Sequence, residues 1–376
     1  MAAAYRAEHI GSLLRPRELL EARESHRQGE KTSEQLRDIE NKYILDALEL
    51  QRQVGVSVYS DGEYRRAWFA GAFEESLEGI VIDPDAPADS RWQGQGRDQA
   101  NATAADLSLT KRAVGARLKQ VRRLTAHESN FLKENSPGPF KITLPGVMTR
   151  AIVWYKPGLT DKVYPTRADL VQDMVGFVQS EVKALVSEGV SYIQLDSLDY
   201  VIRLADPRNR ERMEQAGQDP EKELDDTIAA DNASLKDARG TGVTVALHMC
   251  RGNNRSSWIA EGGYEATAER AFNSLQVDRF LLEYDTERAG GFEPLRFMPR
   301  DKTVVLGLIS TKDPALESMD SILRRIDEAA KYVSVDHLAI SPQCGFASTS
   351  PGNLLSWDDQ RKKLELVVEV AAKVWG

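Results

Sequence analysis

The sequence predicts an α/β fold, a (β/α)8 TIM barrel with an inserted segment between its second and third strands. Three observations lead there. Eight short segments are apolar or β-branched and bounded by polar residues or glycine, as buried strands are. Amphipathic helical patterns separate most of them, and such alternation builds a parallel sheet surrounded by helices. No Gly-x-Gly-x-x-Gly turn follows any segment, which counts against a doubly wound, dinucleotide-binding sheet.

The strand segments fall at residues 5–9, 57–60, 140–144, 192–195, 244–247, 279–283, 303–309 and 338–340. The clearest helix covers 167–188, where Leu170, Met174, Val178, Val182 and Leu185 fall on one apolar face. Thr166 with Asp169 forms its capping box, and Gly189 supplies the stop. Further helices fit 315–331 and 357–374. About eighty residues separate the second and third strands, far more than a crossover needs. Residues 1–376 therefore read as a single barrel with an insertion at 70–139. Within it, 84–106 looks like a flexible excursion and 117–134 a charged helix. Insertions of this length serve as lids, substrate flaps or arms of a homo-oligomer.

Hydrophobic residues make up 41% and charged residues 28%, the balance of a globular protein with a full core. The net charge of −9 argues against a nucleic-acid partner gripped through phosphates. No stretch approaches the ~20 apolar residues of a membrane span. The first residues lack the layout of a signal peptide. Two cysteines, Cys250 and Cys344, build no disulfide framework, and a reducing cytoplasm is the simplest setting.

Barrel chemistry is done where the strands end at their C-termini. The residues expected there are Ile10-Gly11-Ser12, Asp61-Gly62-Glu63, Pro145-Gly146, Asp196, His248-Met249-Cys250, Glu283, Ser310 and Cys344. Both cysteines of the chain fall on this rim. His248 and Cys250 are two apart, so on an extended strand their side chains share a face. One imidazole nitrogen and two thiolates form a soft set that suits zinc and leaves a fourth position open, with Glu283 as a displaceable fourth ligand. A lone histidine or cysteine at a strand end is ordinarily structural, so the weight rests on their coincidence. His9, near the rim, is read as an acid catalyst, and Arg251 and Arg255 as anchors for an anionic group of the substrate. Trp68, Phe69 and Trp154 offer a flat wall for a planar molecule.

The strings Ile10-Gly11-Ser12, Asp61-Gly62-Glu63, Ile193-Gln194-Leu195-Asp196, His248-Met249-Cys250-Arg251-Gly252-Asn253, Glu283 and Gln343-Cys344-Gly345 resemble the catalytic barrel of cobalamin-independent methionine synthase. The likeness is to the short bacterial single-barrel members of that family. It implies a zinc site of His248, Cys250, Glu283 and Cys344, with homocysteine as the thiol and methyl-folate as a candidate methyl donor. It further implies that Ser12 contacts the homocysteine carboxylate while Glu63 and Asp196 hold its ammonium group and serve the reaction. Zinc-bound sulfur is held as the thiolate, the nucleophilic form.

The departures fall on the donor half of the reaction. The family's Asp-Glu-Pro after the fourth strand is here Asp196-Ser197-Leu198-Asp199. The histidine after the seventh strand is absent from Ile309-Ser310-Thr311-Lys312-Asp313. Transfer of a methyl or other alkyl group to a thiol is therefore the expected class. Epoxide opening by coenzyme M, metal-free tetrapyrrole decarboxylation and a non-catalytic zinc- or folate-binding role are its rivals.

Overall fold

The computed structural model describes residues 5–85, 92–105 and 111–376. Two strands, β1 (Leu77–Ile82) and β2 (Arg112–Gln120), pair antiparallel apart from the main sheet. The main sheet is parallel and six-stranded, in sequential order. It comprises β3 (Lys141–Pro145), β4 (Tyr192–Asp196), β5 (Thr244–Met249), β6 (Arg279–Glu283), β7 (Thr303–Ile309) and β8 (Leu338–Pro342). Nearly every position in these strands is buried, as expected of a sheet with both faces covered. The register sets Pro145 beside Asp196 and Asp196 beside His248, so the ends of β3, β4 and β5 are level.

Residues 5–9 and 57–60, expected as two further strands, are extended segments carrying single parallel bridges. Ala7 pairs with Ile340 of β8, and Tyr59 with Phe140 next to β3. Backbone bonds join them: Glu8 N–H donates to Ile340 O, Ser57 N–H to Ala7 O, and Lys141 N–H to Tyr59 O. The ladder between the two segments is irregular because Ser57 Oγ accepts the Ala7 N–H that a carbonyl would take in a regular strand pair. Tyr5, Ile10, Val58, Tyr192, Ala246, Leu281, Val305 and Ala339 form a separate buried cluster drawn from both segments and from β4 through β8. Burying one such aliphatic side chain contributes roughly 1.5–3 kcal/mol.

The helix Arg167–Ser187 has the expected capping box of Thr166 and Asp169. Gly189, at φ +80°, takes the left-handed turn that follows it. The last helix, Trp357–Trp375, starts from a Ser356–Asp359 box. The helix expected over 315–331 is shorter, Met319–Ala329, because Ser318 caps it by accepting the Ser321 N–H. No helix among the described residues is long and apolar enough to cross a membrane.

The insertion differs more from expectation. It contains the helix Gly71–Ser76, the β1–β2 pair, and the helices Arg97–Ala105 and Ala126–Asn135. The charged helix expected over 117–134 begins only at Ala126, and residues 117–120 belong to β2. Alternation decides this, since Leu118 is buried while Arg117 and Lys119 beside it are exposed, and pairing with β1 outweighs the helix propensity of the charged residues. The excursion expected over 84–106 is helical from Arg97. Its residues 86–91 and 106, and the first four residues read for a leader, lie outside the described residues.

A buried ionic group braces the sheet against the first segment. Glu8 Oε1 accepts from Arg279 Nη2 at 2.9 Å, and Oε2 lies 3.4 Å from Lys141 Nζ and 3.0 Å from the Tyr192 hydroxyl. Removing the shared carboxylate leaves two buried cations without it. Glu8→Ala is expected to cost about 3–5 kcal/mol in urea unfolding, and a loss below ~1 kcal/mol would show the group to be dispensable.

Candidate metal centre

His248 lies near the end of β5, Cys250 directly follows that strand, and Cys344 lies in the turn after β8. Their ligand atoms all fall within 4.8 Å of one another, and all three residues are buried. This is the one such group among the described residues. Both cysteines are free, and their sulfurs stand 3.8 Å apart. That is far beyond a disulfide bond, and it is the ~3.8 Å separation of two sulfurs bound tetrahedrally at ~2.3 Å from one zinc. His248 Nδ1 lies 3.2 Å from Leu281 O, a bond that places the proton on Nδ1. Nε2 is then a lone-pair donor, and it is buried without a hydrogen-bond partner. Such an atom in an interior calls for a ligand, so the three side chains fit a soft divalent metal. The hydrogen bond between the sulfurs also raises the Cys250 thiol and lowers the Cys344 thiol, so one member of the pair loses its proton readily.

Glu283, expected as the fourth ligand, is not among the converging atoms. Its Oε2 accepts the Arg251 N–H at 2.6 Å, and its Oε1 accepts from Arg288 Nη2 at 2.6 Å. Burial alone would raise its carboxyl, but Lys312, Arg251 and Arg288 outweigh burial and hold it at about 2. It is an ionised carboxylate near the three ligands, paired with Arg288 and with the Arg251 backbone.

Arg251 does not anchor a substrate. Its side chain is 0% exposed and bonds Gly262 O, Ala289 O and Glu283 O, tying the turn after β5 to the turn after β6. Arg255 donates to Pro351 O and Gly352 O. His9 does not serve as an acid either. Its Nε2 is bonded to Gln51 Oε1 at 2.9 Å, and burial, reinforced by Lys141, lowers it to about 3, so it carries no imidazolium proton at neutral pH. Trp154 is fully buried against Phe73 and is packing. Trp68 bonds Glu74 and lies under Arg150.

The acidic side of the rim does assemble. Glu63 adopts φ +57°, a strained conformation for a residue with a side chain. Its carboxyl bonds Thr143 Oγ1 at 2.9 Å through Oε1, while Oε2 is buried without a partner. A Cβ on Gly11 would stand 2.8 Å from Glu63 Oε1, so only glycine leaves room there. Asp196 accepts from Gln194 Nε2 at 2.7 Å. Burial pushes Glu63 up to about 7 against the pull of Arg66, and burial likewise raises Asp196 while His248 opposes it. Ser12 packs on the Cys344 turn, where a Cβ on Gly345 would stand 2.0 Å from Ser12 Oγ. Asp61, one turn from Glu63, is also buried and raised to about 6.

Two contributions are missing from the sequence reading. Arg288, which holds Glu283, follows β6 by five residues, a spacing with no motif to mark it. The second is the insertion itself, which reaches the loop that follows Cys250. Gln93 and Trp258 exchange backbone bonds at 2.8 and 3.1 Å. Asn254 Nδ2 donates to Ala100 O. A Cβ on Gly94 would stand 2.3 Å from the Trp258 ring, and one on Gly96 1.6 Å from Arg255 O. A Gly-x-Gly pair in a polar stretch was the available signal.

Residues 6–373 match the family model described as cobalamin-independent synthase, catalytic domain. The uncharacterized protein YxjH of Bacillus subtilis is 37% identical over 99% of this chain and 95% of its own length. Methionine synthase of Sulfolobus acidocaldarius is 25% identical over 89% of this chain and 84% of its own. Among solved structures, the putative vitamin-B12 independent methionine synthase from Listeria monocytogenes superposes with a TM-score of 0.74 at 28% identity, covering 100% of this chain and 99% of that one.

The raised Glu63 carboxyl carries a pH signature. Its folded value of about 7 exceeds the ordinary 4.5, so the stability it contributes is full below 4.5 and is lost as pH rises through 7. Glu63→Gln has no such proton to lose. Between about pH 5 and pH 8 the wild type should lose up to about 3 kcal/mol more than Glu63→Gln in urea unfolding. Parallel curves for the two proteins would place the Glu63 ionisation outside that range.

Proposed function

The chain belongs to the family of cobalamin-independent synthase catalytic domains, and from that premise we propose that it transfers a methyl group to the sulfur of homocysteine at a zinc held by His248, Cys250 and Cys344. The observation that carries this reading is the convergence of two sulfurs and an unpartnered, buried imidazole Nε2. Bound zinc would keep a coordinated substrate thiol deprotonated at neutral pH. The Leu281 carbonyl fixes the His248 tautomer so that Nε2 faces the metal position. Glu283 stays ionised beside the ligands and is the candidate for the fourth position when no thiol is present.

The acids of the rim supply the amino-acid end of the site. Glu63 Oε2 has a free acceptor, and Asp196 lies level with His248, so a primary ammonium brought between them would satisfy two buried carboxylates. An ammonium there would lower both acids back toward their ordinary range. Ser12, on the Cys344 turn, is the donor for the substrate carboxylate. A sulfonate-bearing thiol would instead meet two carboxyls, which disfavours the coenzyme M type of reaction.

Several structural readings belong with this one. The backbone bonds that link 5–9 with β8, 57–60 and β3 would close the six-stranded sheet into the eight-stranded barrel. Residues 70–139 would then be an insertion in a single catalytic domain, roofing the loop that carries Cys250. Two unpaired, buried thiols suit a reducing cytoplasm. A methylated folate is the candidate methyl donor on the family's pattern, although the departures from that pattern fall on the donor half.

Purified protein is expected to hold about one zinc per chain, and Cys250→Ser and Cys344→Ser should each lose most of it along with methyl transfer from methyl-folate to homocysteine. A metal-free wild type that still transfers methyl groups would overturn the zinc reading. A zinc-loaded wild type that forms no methionine from any methyl donor would overturn the transfer.

A further inference from the structure

The two sulfurs come from loops far apart in sequence, and their 3.8 Å separation depends on what joins those loops. Arg255, Asn254 and Ser256 bond across them farther along, and the link next to the ligands is Asn253. It lies three residues beyond Cys250, is 6% exposed, and has every hydrogen-bonding position of its amide filled. Nδ2 donates to Gly345 O at 2.6 Å and to Ser348 Oγ at 3.0 Å, both on the Cys344 loop. Oδ1 accepts from Lys312 Nζ at 3.0 Å and from Asn353 Nδ2 at 2.9 Å. One amide therefore binds the loop after β5 to the loop after β8, and through Lys312 to the loop after β7. Ser348 Oγ stands 3.7 Å from Cys344 Sγ, so the network reaches a ligand sulfur directly.

Lys312 is the other half. It is a lysine with 6% exposure, in a site rich in negative groups, and its bond is to a neutral amide instead of a carboxylate. Through Asn253 and Ser348 its ammonium is linked to Cys344 Sγ. Two thiolates, a carboxylate and a substrate thiolate outnumber the charge of one divalent cation, and burial denies them water. A buried cation held by a neutral partner keeps its field available to them.

We propose that Asn253 and Lys312 are positioning residues of the metal centre: Asn253 sets Cys250 against Cys344, and Lys312, oriented by Asn253, supplies the counter-charge for the buried sulfurs. This rests on the metal reading given above but not on the identity of the methyl donor or the thiol.

The test uses cobalt(II) as a probe in place of zinc, with Lys312→Met, Lys312→Arg and Asn253→Asp. The aspartate keeps the size and the pairing with Lys312 but turns an acceptor toward the Gly345 carbonyl. Competition against a chromogenic chelator should show Lys312→Met and Asn253→Asp binding cobalt roughly 10–100-fold more weakly than wild type. Lys312→Arg should recover most of the loss. The sulfur-to-cobalt charge-transfer absorption should weaken in Asn253→Asp, where the sulfurs are no longer held together. A merely structural role would lower the melting temperature of the metal-free protein and leave affinity and spectrum alone. If Lys312→Met does not fold, Asn253→Asp decides. A folded variant with wild-type affinity and spectrum overturns the proposal while leaving the proposed function standing. A metal-loaded wild type that transfers no methyl group overturns that function and leaves this proposal standing. A wild type that binds neither zinc nor cobalt overturns both.

Discussion

Two sulfurs and an imidazole nitrogen, buried and drawn together, set the demand to which the surrounding structure answers. A lone pair in the interior costs free energy unless something binds it, and a thiol pair in the interior resists ionising unless positive charge is near. The Leu281 carbonyl fixes which nitrogen is left free. Asn253 bonds the loop after Cys250 to the Cys344 turn and to Lys312. Arg288, Arg251 and Lys312 hold Glu283 as a carboxylate next to them. These groups come from the turns after β5, β6, β7 and β8, so the parallel sheet matters chiefly because it brings those turns to one end.

The acidic wall follows the opposite logic. Glu63 and Asp196 are buried with too little positive charge to keep them ordinary carboxylates, and each is raised. The strained backbone of Glu63 and the closeness of Gly11 point its carboxyl to a fixed place at some cost. Beside a soft ligand set, a pair of under-satisfied acids matches the sulfur and amine ends of the proposed substrate. The same chain thus holds a pre-neutralised half and a half that waits for its cation.

Much of this was legible in the sequence because strand ends are legible. Short apolar or β-branched runs with polar or glycine bounds located β3 to β8, and the rim residues followed from their C-termini, including both cysteines. The first two segments carry the same apolar signature, yet each forms one bridge, to β8 and to the residue before β3, and between them a serine hydroxyl takes the Ala7 N–H. The side chains misread were those whose partners come from other turns. Arg251 reads as a free cation beside the ligands, but the carbonyls that engage it, at Gly262 and Ala289, carry no sequence signal. His9 reads as a rim acid until Gln51 and burial make it a neutral hydrogen-bonding ring. In the insertion, strand pairing between β1 and β2 decided a charge-rich stretch that local composition assigns to helix.

The central claim is that these three side chains hold a metal whose open position accepts the substrate sulfur. Zinc-edge X-ray absorption of the loaded protein, with and without homocysteine, addresses it most directly. The account predicts two sulfur neighbours at about 2.3 Å without the thiol and three with it. A sulfur count that does not change on adding homocysteine, or zinc bound without any sulfur neighbour, would contradict it.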